Sequence, residues 1–448
     1  MDQEIRSIYP IIPIKVVSAI TSTLVILITI SLGGGAREVG YVVSLSFIGN
    51  LLGAIIWSRV ISSRKAYVEG VLLGYLLLSI FTALLSIPNI YLVFISTFLI
   101  AFLTNLIYFS LLYFVIDNYK EGVEIGVGRL ETIGGWSWVV GLIFGASAID
   151  LIPLNSLISI LSATLFTAII FSIVLMVRDI KERIVEMVEE EEGLLPLIDK
   201  GINKIVDIEE RLPDIIYSGI HVIYSGSLFF SPAYLNIRRP KRERLIHYIG
   251  VTLIFLTFGS VYTQLIKNIK DIGFSDSAIY IYSLMGSIFS ALTYSKAGKG
   301  GRPIERFLGA GIIRTLIFTL LPLLIIIPYN ITWIVLTVFY IISGVTWAYL
   351  IINLNLLSLR RGREEVGTAN FFSNMGLFIG ALISGYIVYT LDYFWLYVSS
   401  TILLITGIYL TYKANKVEEP SLKPIDLDSI RKLSRTFKLP NNVSKDIW

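Results

Sequence analysis

The chain has no cysteine, which excludes disulfides and thiolate metal centres. Only two histidines are present, His221 and His247, too few for a histidine-built metal site. No HExxH, no GxSxG and no glycine-rich phosphate loop followed by Lys-Ser/Thr occurs, so the sequence offers no hydrolytic or nucleotide-binding machinery. The stretch GKGGRP at 298–303 reads as a basic turn. No enzyme activity, cofactor, metal or nucleic-acid partner is expected. Charge is also scarce, at 16% of residues, and net +4. Alternation at period two is missing, which argues against strands. The first apolar run lacks a small-residue cleavage site and reads as a retained helix rather than a leader.

Apolar residues are abundant instead. Hydrophobic residues make up 55% of the 448 positions, and the mean hydropathy is +0.75. Such values lie far outside the soluble range, so the long apolar runs are read as membrane spans. Twelve segments are long enough to cross a bilayer as helices: Ile11–Leu32, Val39–Ile61, Tyr67–Ile87, Tyr91–Ile116, Gly126–Ile149, Leu154–Val177, Leu245–Ile266, Ala278–Ala297, Phe307–Ile327, Thr332–Leu359, Val366–Thr390 and Tyr393–Tyr412. Helices are required because each backbone polar group must be satisfied within lipid. The fold class is therefore an all-α membrane protein of two six-helix bundles.

Lysine and arginine set the orientation. Arg6, Lys15, Arg59, Arg64, Lys65, Lys120, Lys296, Lys299, Arg302, Arg306, Arg360, Arg361 and Arg363 all fall on one side of the predicted spans, whereas the other side holds little beyond Arg37, Lys267 and Lys270. The positive-inside rule places both termini in the cytoplasm of a cell-membrane protein. The organisation expected is a first bundle at 1–177, a cytoplasmic linker at 178–244, a second bundle at 245–415 and a cytoplasmic tail at 416–448. In the linker, Leu194, Ile198, Ile202, Ile205, Ile208 and Leu212 recur at helical spacing and predict an amphipathic helix ended by Pro213. The weaker apolar stretch Ile215–Pro232 is read as interfacial, because a thirteenth span would invert everything after it.

The halves also resemble each other. A shift of 239 lays Gly128 on Gly367, Gly141 on Gly380, Ser44 on Ser283 and Gly70 on Gly309. Widely spread matches at one offset point to an internal duplication. With two six-helix halves, a long linker, and the stretches GRLETIGGWSWVVGLIFG and GTANFFSNMGLFIGALISG in spans five and eleven, the chain resembles the major facilitator superfamily. The loop after span two, WSRVISSRKA, departs from that superfamily's usual pattern, with Ser62 near the place of an aspartate and only Arg64 and Lys65 of the basic residues. The resemblance implies alternating access about a solute site near the bilayer midplane, lined by spans one, four, seven and ten.

Polar residues in those spans align on helical faces. Ser18 and Thr21 share a face in span one, as do Asn105 and Tyr108 in span four. Span seven carries Thr257, Ser260 and Gln264; span ten carries Thr346, Tyr349 and Asn353. These ten are the candidate substrate-binding residues, and hydrogen bonding between helices is the competing role for each. Gating or coupling candidates are Arg129 and Glu131 in span five, Asn370 and Asn374 in span eleven, and Arg314 in span nine. Arg129 and Glu131, two apart, point to different sides. Glu131 lies about 8 Å from the start of its helix, and Arg314, about 10 Å into span nine, is the deepest charge. No acid lies at the depth of Arg314, which argues against a midplane carboxylate and a simple cationic substrate.

The function expected is a secondary or facilitative transporter, monomeric, whose partners are a small-molecule solute and the lipid bilayer. A neutral polar solute such as a sugar is preferred. An exporter of amphiphilic or drug-like compounds is the alternative, an anionic solute drawn by Arg314 is third, and a non-transporting sensor or membrane-embedded enzyme belongs to a different class.

Overall fold

A computed structural model describes residues 8–64, 67–118, 123–189, 242–297, 303–359 and 363–416. The predicted linker helix, the stretch Ile215–Pro232 and the tail beyond Lys416 lie outside those residues. Among the described residues the secondary structure is helical: α1 Ile11–Ser31, α2 Ala36–Arg64, α3 Tyr67–Leu84, α4 Ile90–Asn118, α5 Val123–Ala148, α6 Leu154–Glu189, α7 Arg242–Asp271, α8 Asp276–Ala297, α9 Pro303–Phe318, α10 Tyr329–Leu359, α11 Arg363–Leu391 and α12 Tyr393–Lys416. Each predicted span has its helix. Ten are long and apolar enough by composition to cross a membrane; α5 and α8 do not reach that mark alone.

Two boundaries differ instructively. Span nine is not one helix to Ile327: α9 stops at Phe318 and a 3-10 turn, Leu321–Ile325, completes the crossing. Pro322 is the reason, since proline has no N–H to donate and clashes with the preceding turn. The sixth span, expected to end at Val177, continues as helix to Glu189. Seven of the added residues in RDIKERIVEMVE are Arg, Lys, Glu or Met, good helix formers that extend the helix past the lipid.

The duplication is physical. Helix α1 ends at Gly33 with φ 84°, and α7 ends at Gly273 with φ 101°, both left-handed positions that favour glycine. Gly34 N–H then donates to Thr29 O at 2.9 Å, and Phe274 N–H to Ile269 O at 3.2 Å, the same closing bond 240 residues later. Gly141 of α5 seats against the Val16 and Ala19 backbone turn of α1, and Gly380 of α11 seats against Leu256 of α7. Any larger residue would push these helix pairs apart. Helices α1–α6 pack into one bundle and α7–α12 into the other.

The bundles meet along α2–α11 and α5–α8, with smaller contributions from α1 and α7. We call the end where α1 begins and α12 finishes the near end, and the opposite one the far end. Four hydrogen bonds between described residues cross from bundle to bundle. Tyr41 pairs with Tyr386, Ser44 Oγ donates to Phe378 O at 3.4 Å, Gln264 Nε2 to Ala36 O at 2.9 Å, and Tyr280 Oη to Ile20 O at 2.8 Å. Arg37 stacks on the Tyr389 ring 3.8 Å from its centroid. All of these lie from mid-depth to the far end, where they close the bundles on each other.

Candidate functional site

The helices expected to border a solute path are α1 and α4 of the first bundle and α7 and α10 of the second. On the first-bundle side, three side chains from three helices converge. Tyr108 Oη (α4) donates to Glu131 Oε1 (α5) at 2.6 Å. The Lys15 ammonium (α1) lies over the Tyr108 ring, 5.3 Å from its centroid. The Lys15 stem runs past Gly134, where a Cβ would sit 3.3 Å from Lys15 Cε. A glycine one turn from Glu131 thus lets a long cation lie flat across α5. Glu131 is exposed at the near end, as is Asn370 across the gap on α11. Asn374, half-buried, bonds back along its own helix to Asn370 O at 2.9 Å. Arg129 is half-buried on another side of α5 from Glu131.

On the second-bundle side, the space between α7 and α10 is filled by side chains rather than by helix-helix contact. Arg314, reaching in from α9, occupies its centre at 1% exposure. Its Nη1 donates to Ser343 O at 2.8 Å and to Thr346 Oγ1 at 3.0 Å, and its Nη2 donates to the Tyr262 hydroxyl. The guanidinium lies 4.4 Å from the Phe258 ring centroid, with Trp347 and Phe318 at 5.6 and 5.7 Å. A buried arginine walled by aromatic faces recovers part of its lost hydration through cation-π attraction.

Several residues singled out from the sequence turn out to be spent between helices. Thr257 Oγ1 donates to Leu253 O at 3.0 Å and Ser400 O at 3.2 Å, fastening α7 to α12. Ser260 Oγ donates to Leu256 O at 2.8 Å and Gly380 O at 3.0 Å, fastening α7 to α11. Gln264 is fully buried in the seam on Ala36 O. The face of α7 that these three share therefore looks toward α11, α12 and α2. Asn105 Nδ2 bridges to Asn50 Oδ1 at 3.1 Å and Ala101 O at 3.0 Å, joining α4 to α2. In α1, Thr21 bonds to Val17 O at 2.9 Å, and Ser18 is half-buried beside it. In α10, Thr346 serves Arg314, Tyr349 is half-buried, and Asn353 Nδ2 donates to Tyr349 O at 2.8 Å while its Oδ1 stays unpartnered.

Two members of the site escaped the sequence reading. Sequence alone gives Lys15 only an orienting role and offers no motif that marks Tyr262. Lys15 and Glu131 are 116 residues apart, so nothing local joins them. For Tyr262 the usable signal was position: it lies on the side of α7 opposite Ser260 and Gln264.

A family model described as Major Facilitator Superfamily matches residues 16–385. Solved structures with the same fold include a POT family transporter in complex with 5-aminolevulinic acid, 14% identical with a TM-score of 0.63, the alignment covering 91% of this chain and 96% of that one. A structure on substrate recognition in proton-dependent oligopeptide transporters is 12% identical, TM-score 0.59, covering 92% and 96%. A mutant of the peptide transporter POT is 15% identical, TM-score 0.62, covering 92% and 94%. At these identities the likeness is one of fold. No curated protein matches the chain.

Proposed function

The chain belongs to the major facilitator superfamily, and from that premise we propose that it carries a small polar organic solute by alternating access between its bundles, residues 1–177 and 245–415. It is a multi-pass membrane transporter and not an enzyme. The observation that carries the proposal is the asymmetry of the contacts. Cross-bundle hydrogen bonds between described residues lie from mid-depth to the far end, while the Lys15–Tyr108–Glu131 cluster lies toward the near end. A solute would enter there and leave after the two seams reverse. Lysine and arginine placement supports a near end that faces the cytoplasm across a cell membrane. We take the monomer as the working unit, because the two bundles together enclose the site.

The sugar reading loses most of its support, since the hydroxyls and amides of Thr257, Ser260, Gln264 and Asn105 are engaged between helices. The charged and phenolic groups left to meet a solute are Lys15, Tyr108, Glu131 and Arg314 with Tyr262.

A chain without cysteine permits a direct test. Spin labels on Gly135→Cys and Asn370→Cys, placed on α5 and α11 at the near end, should report two distances, the shorter from molecules with that end closed. A single distance that no solute or seam substitution changes would refute alternating access.

A further inference from the structure

We propose that Arg314 is the anchor for a carboxylate on the transported solute, so that the substrate is a monocarboxylate with an aromatic or branched apolar body. This deepens the transporter reading and rests on it. The guanidinium is permanently protonated, and no Asp or Glu among the described residues hydrogen-bonds or ion-pairs with it. A buried charge with no opposite charge is costly, and evolutionary drift to a neutral residue would be the simple remedy. The duplicated fold displays that remedy. At the corresponding position of the first bundle stands Tyr75, buried, its hydroxyl satisfied by Pro10 O. The second bundle keeps a cation where the first makes do with a phenol.

The pattern of used and unused N–H groups points to the missing partner. Nη1 spends both of its N–H groups on α10, at Ser343 O and Thr346 Oγ1. Nε–H has no partner at all, and Nη2 has only the Tyr262 hydroxyl. Nε and Nη2 form the side of the fork on which a carboxylate binds through two parallel hydrogen bonds. Tyr262 is half-buried, and its hydroxyl stands where one carboxylate oxygen would sit. Rotation of that side chain to another staggered well exposes the edge. Phe258, Phe318 and Trp347 around the cation give the apolar walls, which suit a hydrocarbon or aryl body better than a polyol. Charge counting sets the valence. The Arg314 cluster carries one positive charge and no carboxylate among the described residues bonds to it, which asks for one negative charge on the solute.

The experiment uses the full-length protein in detergent, with acetate and benzoate as minimal probes and acetamide, benzamide and chloride at equal ionic strength as controls. A ligand of the folded state raises the melting temperature saturably. The two carboxylates should do so, benzoate at the lower concentration, and the amides and chloride should not. Arg314→Gln should lose the response, with the half-maximal concentration rising at least tenfold. Tyr262→Phe removes only the hydroxyl that occupies Nη2, and should lower that concentration severalfold, which tests the idea even where the arginine variant fails to fold. A wild type indifferent to carboxylates, a response that survives in Arg314→Gln, or a Tyr262→Phe protein that binds no better would each overturn the assignment. The spin-label measurement does not involve Arg314, so failure here leaves alternating access standing or falling separately.

Discussion

Gly40→Ala tests the seam with one methyl group. Gly40 lies in the far half of α2, and a Cβ there would come 2.8 Å from Ala381 O and 3.3 and 3.4 Å from Gly385 Cα and N, all on α11 of the other bundle. The nearest of these is a backbone atom, which cannot swing aside as a side chain would. Inserting a methyl into such a contact costs about 1–3 kcal/mol, and the cost is felt only while the far end is shut. The gain in helix propensity from glycine to alanine, about 1 kcal/mol, applies to both conformations and cancels. A penalty of about 2 kcal/mol is about thirtyfold in the ratio of conformations. Gly141→Ala is the control. Its Cβ would meet Val16 Cα at 3.0 Å and Ala19 Cβ at 2.8 Å, both on α1 of the same bundle, and that packing stays closed throughout the cycle. The reporter is Gly135→Cys, which is exposed toward the near end with nothing within 4 Å of its Cβ. Adding Gly40→Ala should slow maleimide labelling of that cysteine severalfold with little loss of melting temperature. Gly141→Ala should lower the melting temperature and leave labelling of the folded fraction unchanged. Equal labelling rates with and without Gly40→Ala would refute the view that the α2–α11 contact holds this conformation.

Other substitutions separate structural from functional roles. Thr257→Val removes the α7–α12 hydrogen bond to Ser400 O and should cost about 0.5–1.5 kcal/mol of stability, seen as a lower melting temperature, without changing solute affinity. Gln264→Leu deletes the seam bond to Ala36 O along with the unpartnered Oε1, so stability should change by less than about 1 kcal/mol while spin-label distances shift toward a closed near end. Tyr108→Phe leaves the ring under Lys15 but frees Glu131; solute uptake into proteoliposomes should fall several-fold at unchanged melting temperature. Asp392 joins α11 to α12 at φ 82°, and its Oδ1 accepts the Tyr393 N–H at 2.6 Å. Asp392→Ala should therefore cost about 1–2 kcal/mol, whereas Asp392→Asn, which keeps both the conformation and the acceptor, should be near neutral by thermal denaturation.

The number and order of the helices, and the internal repeat, were open to inspection in the chain itself, because each follows from short-range physics. A run of about twenty apolar residues must become a helix in lipid wherever it sits, and the shift of 239 that overlays Gly141 on Gly380 needs only residue identities. The end of α9 was legible in principle, since Pro322 lies inside the predicted span and forbids an unbroken helix.

The site was legible only in part. Helical spacing correctly grouped Thr257, Ser260 and Gln264 on one face, but spacing says nothing of what that face meets. Ser400 and Gly380, 143 and 120 residues away, supply the answer. Lys15 and Glu131 both come to Tyr108 because α1 packs on α5 through Gly134 and Gly141. Arg314 was marked by its depth alone, which is a local property. That it would lie among Tyr262, Ser343 and Thr346, with no carboxylate of the described residues bonded to it, is a fact of three helices brought together. Composition and periodicity thus determined that this protein crosses a membrane as twelve helices in two related halves. Which polar groups are consumed in holding those helices, and which remain for a solute, was decided by tertiary packing, because a hydrogen bond between distant helices leaves no periodic trace in the sequence.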